Sequence, residues 1–189
     1  MQRNHRLAAG ALALAICTSP IFAQGGPPAG RPGIGTISTL ALSAEEASTL
    51  TWMREEEKLA RDVYQFLAAK WNLRLFANIA DAESQHFTQI GTLLNRYRIT
   101  DPAAGRVAGE YWDPRIAALY AELTSKGAAS IKDAIEVGIL IETSDIGDLQ
   151  GGITAATRTD IKRMYSNLLN ASFTHLDTFE GALEILQPR

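Results

Sequence analysis

The sequence predicts an all-α chain, a bundle of four long helices with a short extra helix carried in a long crossover between the second and third. Three observations lead there. Helix-starting residues recur at short intervals from residue 43 onward. Apolar positions repeat at alternating steps of three and four through four separate stretches. No stretch of useful length alternates apolar and polar residues as a half-buried strand would.

Taken in order, Ser43 with Glu46 three residues on is a capping box that opens a helix to about Lys70. A second helix is expected from about Leu75 to Tyr97, followed by an irregular stretch from Arg98 to Trp112. Asp113-Pro114 then supplies an N-cap with proline at the first helical position, and Gly127 closes a short helix. Ser130 with Asp133 opens the third long helix, to about Leu149, and Gly151-Gly152 is expected to break the chain. Thr157 with Asp160 is expected to cap the fourth, which runs to about Leu186.

The residues ahead of these helices read differently. Arg3, His5 and Arg6 form a basic start, Leu7 to Ile16 is an unbroken run of apolar and small residues, and Ile21-Phe22-Ala23 resembles a cleavage site. The run is too short, and too closely followed by Pro20, to span a bilayer. Residues 1–23 are therefore expected to be a signal peptide cut after Ala23, and the product to be exported, periplasmic or extracellular, and free of the membrane. Lipidation at Cys17 is the alternative, but Ile16 is bulky where a small residue is wanted. Residues 24–41 form a Gly/Pro-rich linker, which leaves 42–187 as the helical domain.

Composition narrows the function. With 46% hydrophobic and 21% charged residues among 189, the chain can bury a core. A formal net charge of -3 and no Lys/Arg cluster argue against a nucleic-acid partner. The single cysteine, Cys17, lies in the leader, so a mature chain would have no thiol. Any metal would have to be held by oxygen and imidazole.

The candidate site comes from the helical repeats. The inward series of the first helix runs Leu50, Met53, Glu57, Ala60, Tyr64, Leu67, and that of the second Phe76, Ile79, Glu83, His86, Ile90, Leu93. The third gives Ile131, Ile135, Gly138, Glu142, Asp145, Leu149, and the fourth Ile161, Tyr165, Leu168, Ser172, His175, Phe179. Each apolar series is interrupted near its middle by polar groups. Charge runs such as Glu55-Glu56-Glu57 ordinarily face solvent, where Glu57 and Arg61 would pair across one turn. Glu55 fits that reading, since it shares a face with Ser48 and Asp62. Glu57 shares its face with apolar residues and is expected inside, with Glu56 as the alternative. A lone histidine on an apolar face is more often a satisfied core residue than a ligand, but both histidines beyond His5 fall on these faces. Glu83 and His86, three apart, form the Glu-x-x-His pattern of bundle di-metal sites. Asp148, by contrast, reads as part of a polar helix end.

Several carboxylates meeting in a dry interior repel one another, and each unpaired buried charge costs several kcal/mol. No lysine or arginine occupies the four inward series. Divalent cations remove the penalty: Glu57, Glu83, Glu142 and Asp145 with His86 and His175 are neutral around two of them. For oxygen and imidazole donors the suitable ions are iron or manganese, and zinc also fits.

These stretches carry a resemblance. The segments MREEEKLARDVY (53–64) and FANIADAESQH (76–86) resemble the first two helices of the ferritin-like superfamily. Together with VGILIETSDIGDL (137–149) and SNLLNASFTHL (166–176), they resemble the domain-of-unknown-function family 2202 over about Leu42 to Leu186. The superfamily resemblance implies a ferritin-like bundle with ligand roles for Glu57, Glu83, His86, Glu142 and His175. One departure stands out: Ser172 occupies the position three before His175 where such sites usually repeat a glutamate. Either Asp145 takes its place, or one ion is held tightly and one weakly, or none is held.

The expected function is that of an exported di-iron or di-manganese carboxylate protein. A ferroxidase-like or peroxide-consuming oxidoreductase reaction suits such a centre, with dioxygen or peroxide as the small-molecule partner and Tyr64 or Tyr165 near the ions. Metal storage or buffering without catalysis is the second reading, and a metal-free helical interaction protein, which Ser172 favours, is the third. A homo-oligomer is left open.

Overall fold

The structure, a computed structural model, describes residues 41–186, and within them it is helical with no strand. Its helices are α1 (Ala44–Trp71), α2 (Arg74–Tyr97), α3 (Pro114–Gly127), α4 (Ile131–Ala155) and α5 (Thr159–Ile185). The leader and most of the linker expected from the sequence lie outside the described residues.

Local chemistry explains most helix ends. Ser43 Oγ accepts from the Glu46 N–H at 3.0 Å and the Ser43 N–H donates back to Glu46 Oε2 at 3.1 Å, a complete capping box. Asn72 takes left-handed geometry (φ 52°) to end α1, and Arg98 does the same (φ 57°) after α2. Asp113 caps α3 ahead of Pro114, and Ser130 caps α4.

Two expectations fail at the far end of α4. Gly151-Gly152 does not break the helix, which continues to Ala155. Glycine serves there as a small surface instead, since a Cβ on Gly152 would lie 2.9 Å from the Tyr165 ring. Thr157 does not cap α5 either: the cap position is Arg158, without a side-chain hydrogen bond. The Thr157 hydroxyl and N–H both donate to Glu46 Oε1, at 2.8 and 2.7 Å. A long-range carboxylate has outcompeted the local cap.

The paired positions define the topology. Tyr64 meets Phe76 across α1 and α2, and Trp52 and Tyr64 reach Asp148 and Glu142 on α4. Glu83 faces His175 and Arg96 faces Asp160 across α2 and α5, while Asp145 faces Ser172 across α4 and α5. Every such pair runs antiparallel. The long helices thus form a ring, α1 beside α2 and α4, and α5 beside the same two, with α2 and α4 diagonal and out of contact. Because α2 and α4 point the same way, the chain between them must travel the length of the bundle. Residues 98–113 and α3 do this along α1, and α3 packs on α1 and α4.

The interior is layered. Leu67, Phe76, Ile135 and Phe179 belong to an apolar cluster at one end, and Leu50, Ile90, Leu149 and Leu168 to one at the other. Between them lies a polar stratum at the middle of all four long helices. Ile131, placed inward by the repeat, is 37% exposed at the first turn of α4, where the bundle has not yet closed over it.

Candidate metal centre

The polar stratum gathers residues from four helices. Glu57 (α1), Glu83 and His86 (α2), and Glu142 and Asp145 (α4) are buried, and Ser172 (α5) is 2% exposed. His175 (α5) is half-buried. Each stands on its helix at the three-and-four spacing that also buries the leucines above and below, so packing of the two apolar clusters delivers all of them to one level.

Glu83 is at the centre. Its Oε2 lies 2.8 Å from Nδ1 of His86, and its Oε1 lies 2.8 Å from Nδ1 of His175. Beyond these, His86 Nδ1 is 3.5 Å from Glu57 Oε2, and His175 Nδ1 is 3.6 Å from Glu142 Oε2. The imidazoles stack with centroids 6.0 Å apart. Two donor trios result, Glu57/Glu83/His86 and Glu83/Glu142/His175, each with its ligand atoms within 4.8 Å of one another. Donors about 2.1 Å from an ion lie up to about 4 Å apart, so each trio can close on a cation with a small inward shift. Glu83 belongs to both.

Several atoms are left unsatisfied. Glu57 Oε1 is buried without a hydrogen-bond partner. So is His175 Nδ1: the nearby oxygens are close but not placed to accept from it. Buried polar atoms are nearly always paired, so orphans among oxygen and imidazole donors suit a bound cation. The residues present fit a divalent ion.

Electrostatics describe the same strain. Burial pushes the Glu57 carboxyl well above its ordinary range, and Asp145 and Glu83 add to the rise. Burial likewise raises Asp145 to about 8, against the pull of the Ser172 hydroxyl, with Glu142 and Glu83 pushing the same way as burial. For Glu83, burial alone would raise the carboxyl, but the imidazoles of His175 and His86 close to its oxygens win and draw it down to about 2. His175 mirrors this: burial opposes its charge, Glu142 and Glu83 outweigh burial, and the imidazole rises to about 9. Without ions, the two imidazoles favour the charged form of Glu83, while burial favours the neutral form of Glu57 and Asp145.

Supporting groups fix the donors. Tyr64 donates to Glu142 Oε1 at 2.6 Å, and its ring sits against Phe76 and Phe179. Phe179 in turn needs Gly138, where a Cβ would fall 2.6 Å from the ring. Ser172 donates to Asp145 Oδ2 at 2.5 Å and also approaches Leu168 O at 3.0 Å. Tyr165, the other tyrosine considered, belongs to the far apolar cluster, where Glu46 is the charge acting on it.

Two sequence readings need correction. Glu55 does not face solvent: it is 2% exposed, accepting from the N–H of Trp112 and, at 2.9 Å, that of Asp113. Its neighbours are covered as well. Lys58 is buried against Asp62 (2.6 Å) and Val107 O (2.7 Å), and Asp62 also accepts from Gly109 N and Tyr111 Oη. Glu57, inward as expected, does not pair with Arg61, which binds Asp62 at 2.8 Å. Asp148 is no idle helix end: Trp52 Nε1 donates to it at 3.1 Å, and it acts on the buried Glu56. Sequence repeats missed these because the covering segment, 98–113, has no repeat of its own. A buried lysine with acids at three and four residues is a signal only once that cover is known.

The pattern of an uncharacterised protein domain family, DUF2202, matches residues 46–187. The chain belongs to this family. The uncharacterised protein MJ0754 from Methanocaldococcus jannaschii is 42% identical over 146 residues, 77% of this chain and 79% of its own length. The crystal structure of hypothetical protein MJ0754 from Methanococcus jannaschii is similar at a TM-score of 0.74 and 39% identity. That match covers 84% of this chain and 86% of the other. Glu57, Glu83, His86, Glu142 and His175 all fall within residues 46–187.

Proposed function

We propose that this DUF2202 protein holds two divalent ions, iron or manganese, in a ferritin-like carboxylate/histidine centre and uses them on dioxygen or a peroxide. The observation that carries the reading is Glu83, whose two oxygens each approach a different histidine while completing a different donor trio. A carboxylate so placed would offer one oxygen to each of two ions. The likeness of the helices to the ferritin-like superfamily supports it, as does the set of orphaned atoms.

When bound, such ions supply Lewis acidity and electron transfer. The chain's own groups do the rest. Glu57 and Glu142 would hold the ions on either side of Glu83, and His86 and His175 would offer Nδ1 to them. Tyr64 holds Glu142 at a set angle and can return a proton to it. Phe76 and Phe179 keep water from that side. A ferroxidase-like or peroxide-consuming reaction fits these parts. The basic, apolar and small-residue pattern of residues 1–23 supports export to a periplasmic or extracellular location.

Asp145 favours a second reading. It stands in neither trio and is engaged by Ser172, so the chain can satisfy it with no ion. A store or buffer with one firm ion, or a metal-free interaction protein, would look like this. Protein purified after expression with iron or manganese separates these readings by elemental analysis. Below about 0.2 ion per chain the centre is metal-free, since a functional site retains its ion. With metal present, consumption of oxygen or peroxide distinguishes catalyst from store. His86→Ala and His175→Ala are each expected to abolish binding, and retention of full metal in both variants overturns the assignment.

A further inference from the structure

The seams between neighbouring long helices are not equally closed at the level of the centre. Between α1 and α2 the Phe87 ring lies under two guanidiniums, those of Arg54 and Arg61, whose central carbons stand 3.2 and 4.5 Å from its centroid. Between α1 and α4 the Trp52 indole donates to Asp148 and the Tyr64 hydroxyl to Glu142. Between α4 and α5 the Ser172 hydroxyl lies 2.5 Å from Asp145, and the Phe179 ring fills the space at Gly138.

The seam between α2 and α5 is different. Phe76 and Phe179 close it toward one end, with ring centroids 5.7 Å apart. Arg96 and Tyr97, each 2.7 Å from Asp160, close it toward the other. Between these closures stand His86 and His175 themselves. Side chains four apart share a helix face, and a helical side chain leans over the turn before it. Each imidazole therefore lies over the residue four earlier, which is Ala82 for His86 and Ala171 for His175. Neither alanine is fully buried.

Exposure follows this arrangement. The His86 and His175 side chains are 11% and 12% exposed, against 2, 4 and 2% for those of Glu57, Glu83 and Glu142. Nδ1 of His175 is itself buried, so the exposed part is the rest of its ring. The imidazoles are the rim between solvent and the carboxylates, and an acidic interior behind such a rim favours cations.

We propose that the α2–α5 seam at His86 and His175 is the port by which small solutes, divalent ions first among them, reach the centre, and that Ala82 and Ala171 keep it open. What enters rests on the dinuclear reading, while the place of entry is tested apart from it.

Two measurements on the purified metal-free protein test the port. One is the rate of manganese(II) uptake, followed by the spin resonance of the free ion. The other is the broadening of the His86 and His175 ring-proton signals by a soluble, neutral gadolinium chelate. Both rings are expected to broaden in the unaltered protein. Ala82→Leu and Ala171→Leu are each expected to slow uptake by roughly tenfold or more and to lose most of the broadening, with the same ions bound at equilibrium. Gly147→Leu puts equal bulk at an exposed, open position of α4 and should change none of these. Circular dichroism identifies folded variants, and if one leucine variant fails to fold the other decides. Uptake at the unaltered rate in a folded leucine variant overturns the port. So do rings that the chelate does not reach in the unaltered protein, or loss of the ions at equilibrium in both variants, which would place the alanines within the centre. A protein that binds no ion, but whose rings broaden and are shielded in the variants, removes the dinuclear reading and leaves the port standing.

Discussion

At the scale of single residues, Glu83 decides the character of the centre. Four buried acids compete for protons in the same volume, and Glu83 keeps its charge because two imidazoles point at it. The histidines depend on it in return. Glu83→Gln preserves shape but removes the charge that offsets the burial of His86 and His175. In the metal-free protein both imidazoles are then expected to titrate lower, His175 falling from about 9 toward or below the ordinary 6.5. Histidine proton shifts followed against pH check this directly. An unchanged His175 titration would mean that Glu142 alone supports the ring.

At the scale of elements, the least expected feature is the clasp between α1 and the segment that crosses from α2 to α3. Arg54 binds Asp101 at 2.7 Å, Lys58 reaches Val107 O, and Glu55 receives two consecutive N–H groups at the start of α3. These contacts turn what would be a solvent-facing stripe of α1 into a buried one. Glu55→Gln keeps the size of the side chain but weakens two charge-assisted bonds. It is expected to cost about 1.5–3 kcal/mol of unfolding free energy while metal content stays unchanged. Urea unfolding and elemental analysis on one preparation measure both. Loss of metal with unaltered stability would assign Glu55 to the centre instead.

For the whole molecule, the titrating groups of the stratum set how stability follows pH. Glu83, lowered to about 2 from 4.5, contributes stability that is present above about 4.5 and lost as pH falls toward 2. His175, raised from 6.5 to about 9, contributes stability that is complete below about 6.5 and lost as pH rises through 9. Asp145, raised from 3.8 to about 8, works in the same direction as His175: above pH 4 the unfolded chain ionises while the folded one holds its proton. The metal-free protein is therefore expected to melt lower at pH 8.5 than at pH 5. Bound ions need ionised carboxylates and neutral imidazoles, so the gain in melting temperature on adding iron or manganese should grow over that interval. Melting curves with and without ion at the two pH values show whether the trends oppose one another.

The sequence by itself determined the helices, and the residues of the stratum, because both follow from local physics. Caps at Ser43, Asp113 and Ser130 act over three residues, and a side chain's face on a helix follows from its place in a period of 3.6. Glu57, Glu83, His86, Glu142 and His175 could be grouped on that ground alone. Tertiary structure decided what periodicity cannot express. It ran α4 through Gly151-Gly152 because the Tyr165 ring needed that surface, and it turned Thr157 from a cap into a donor to Glu46. It buried Glu55, Lys58 and Asp62 beneath a segment without a repeat. Burial of a helix face depends on what is laid over it, and that partner lies tens of residues away in the chain.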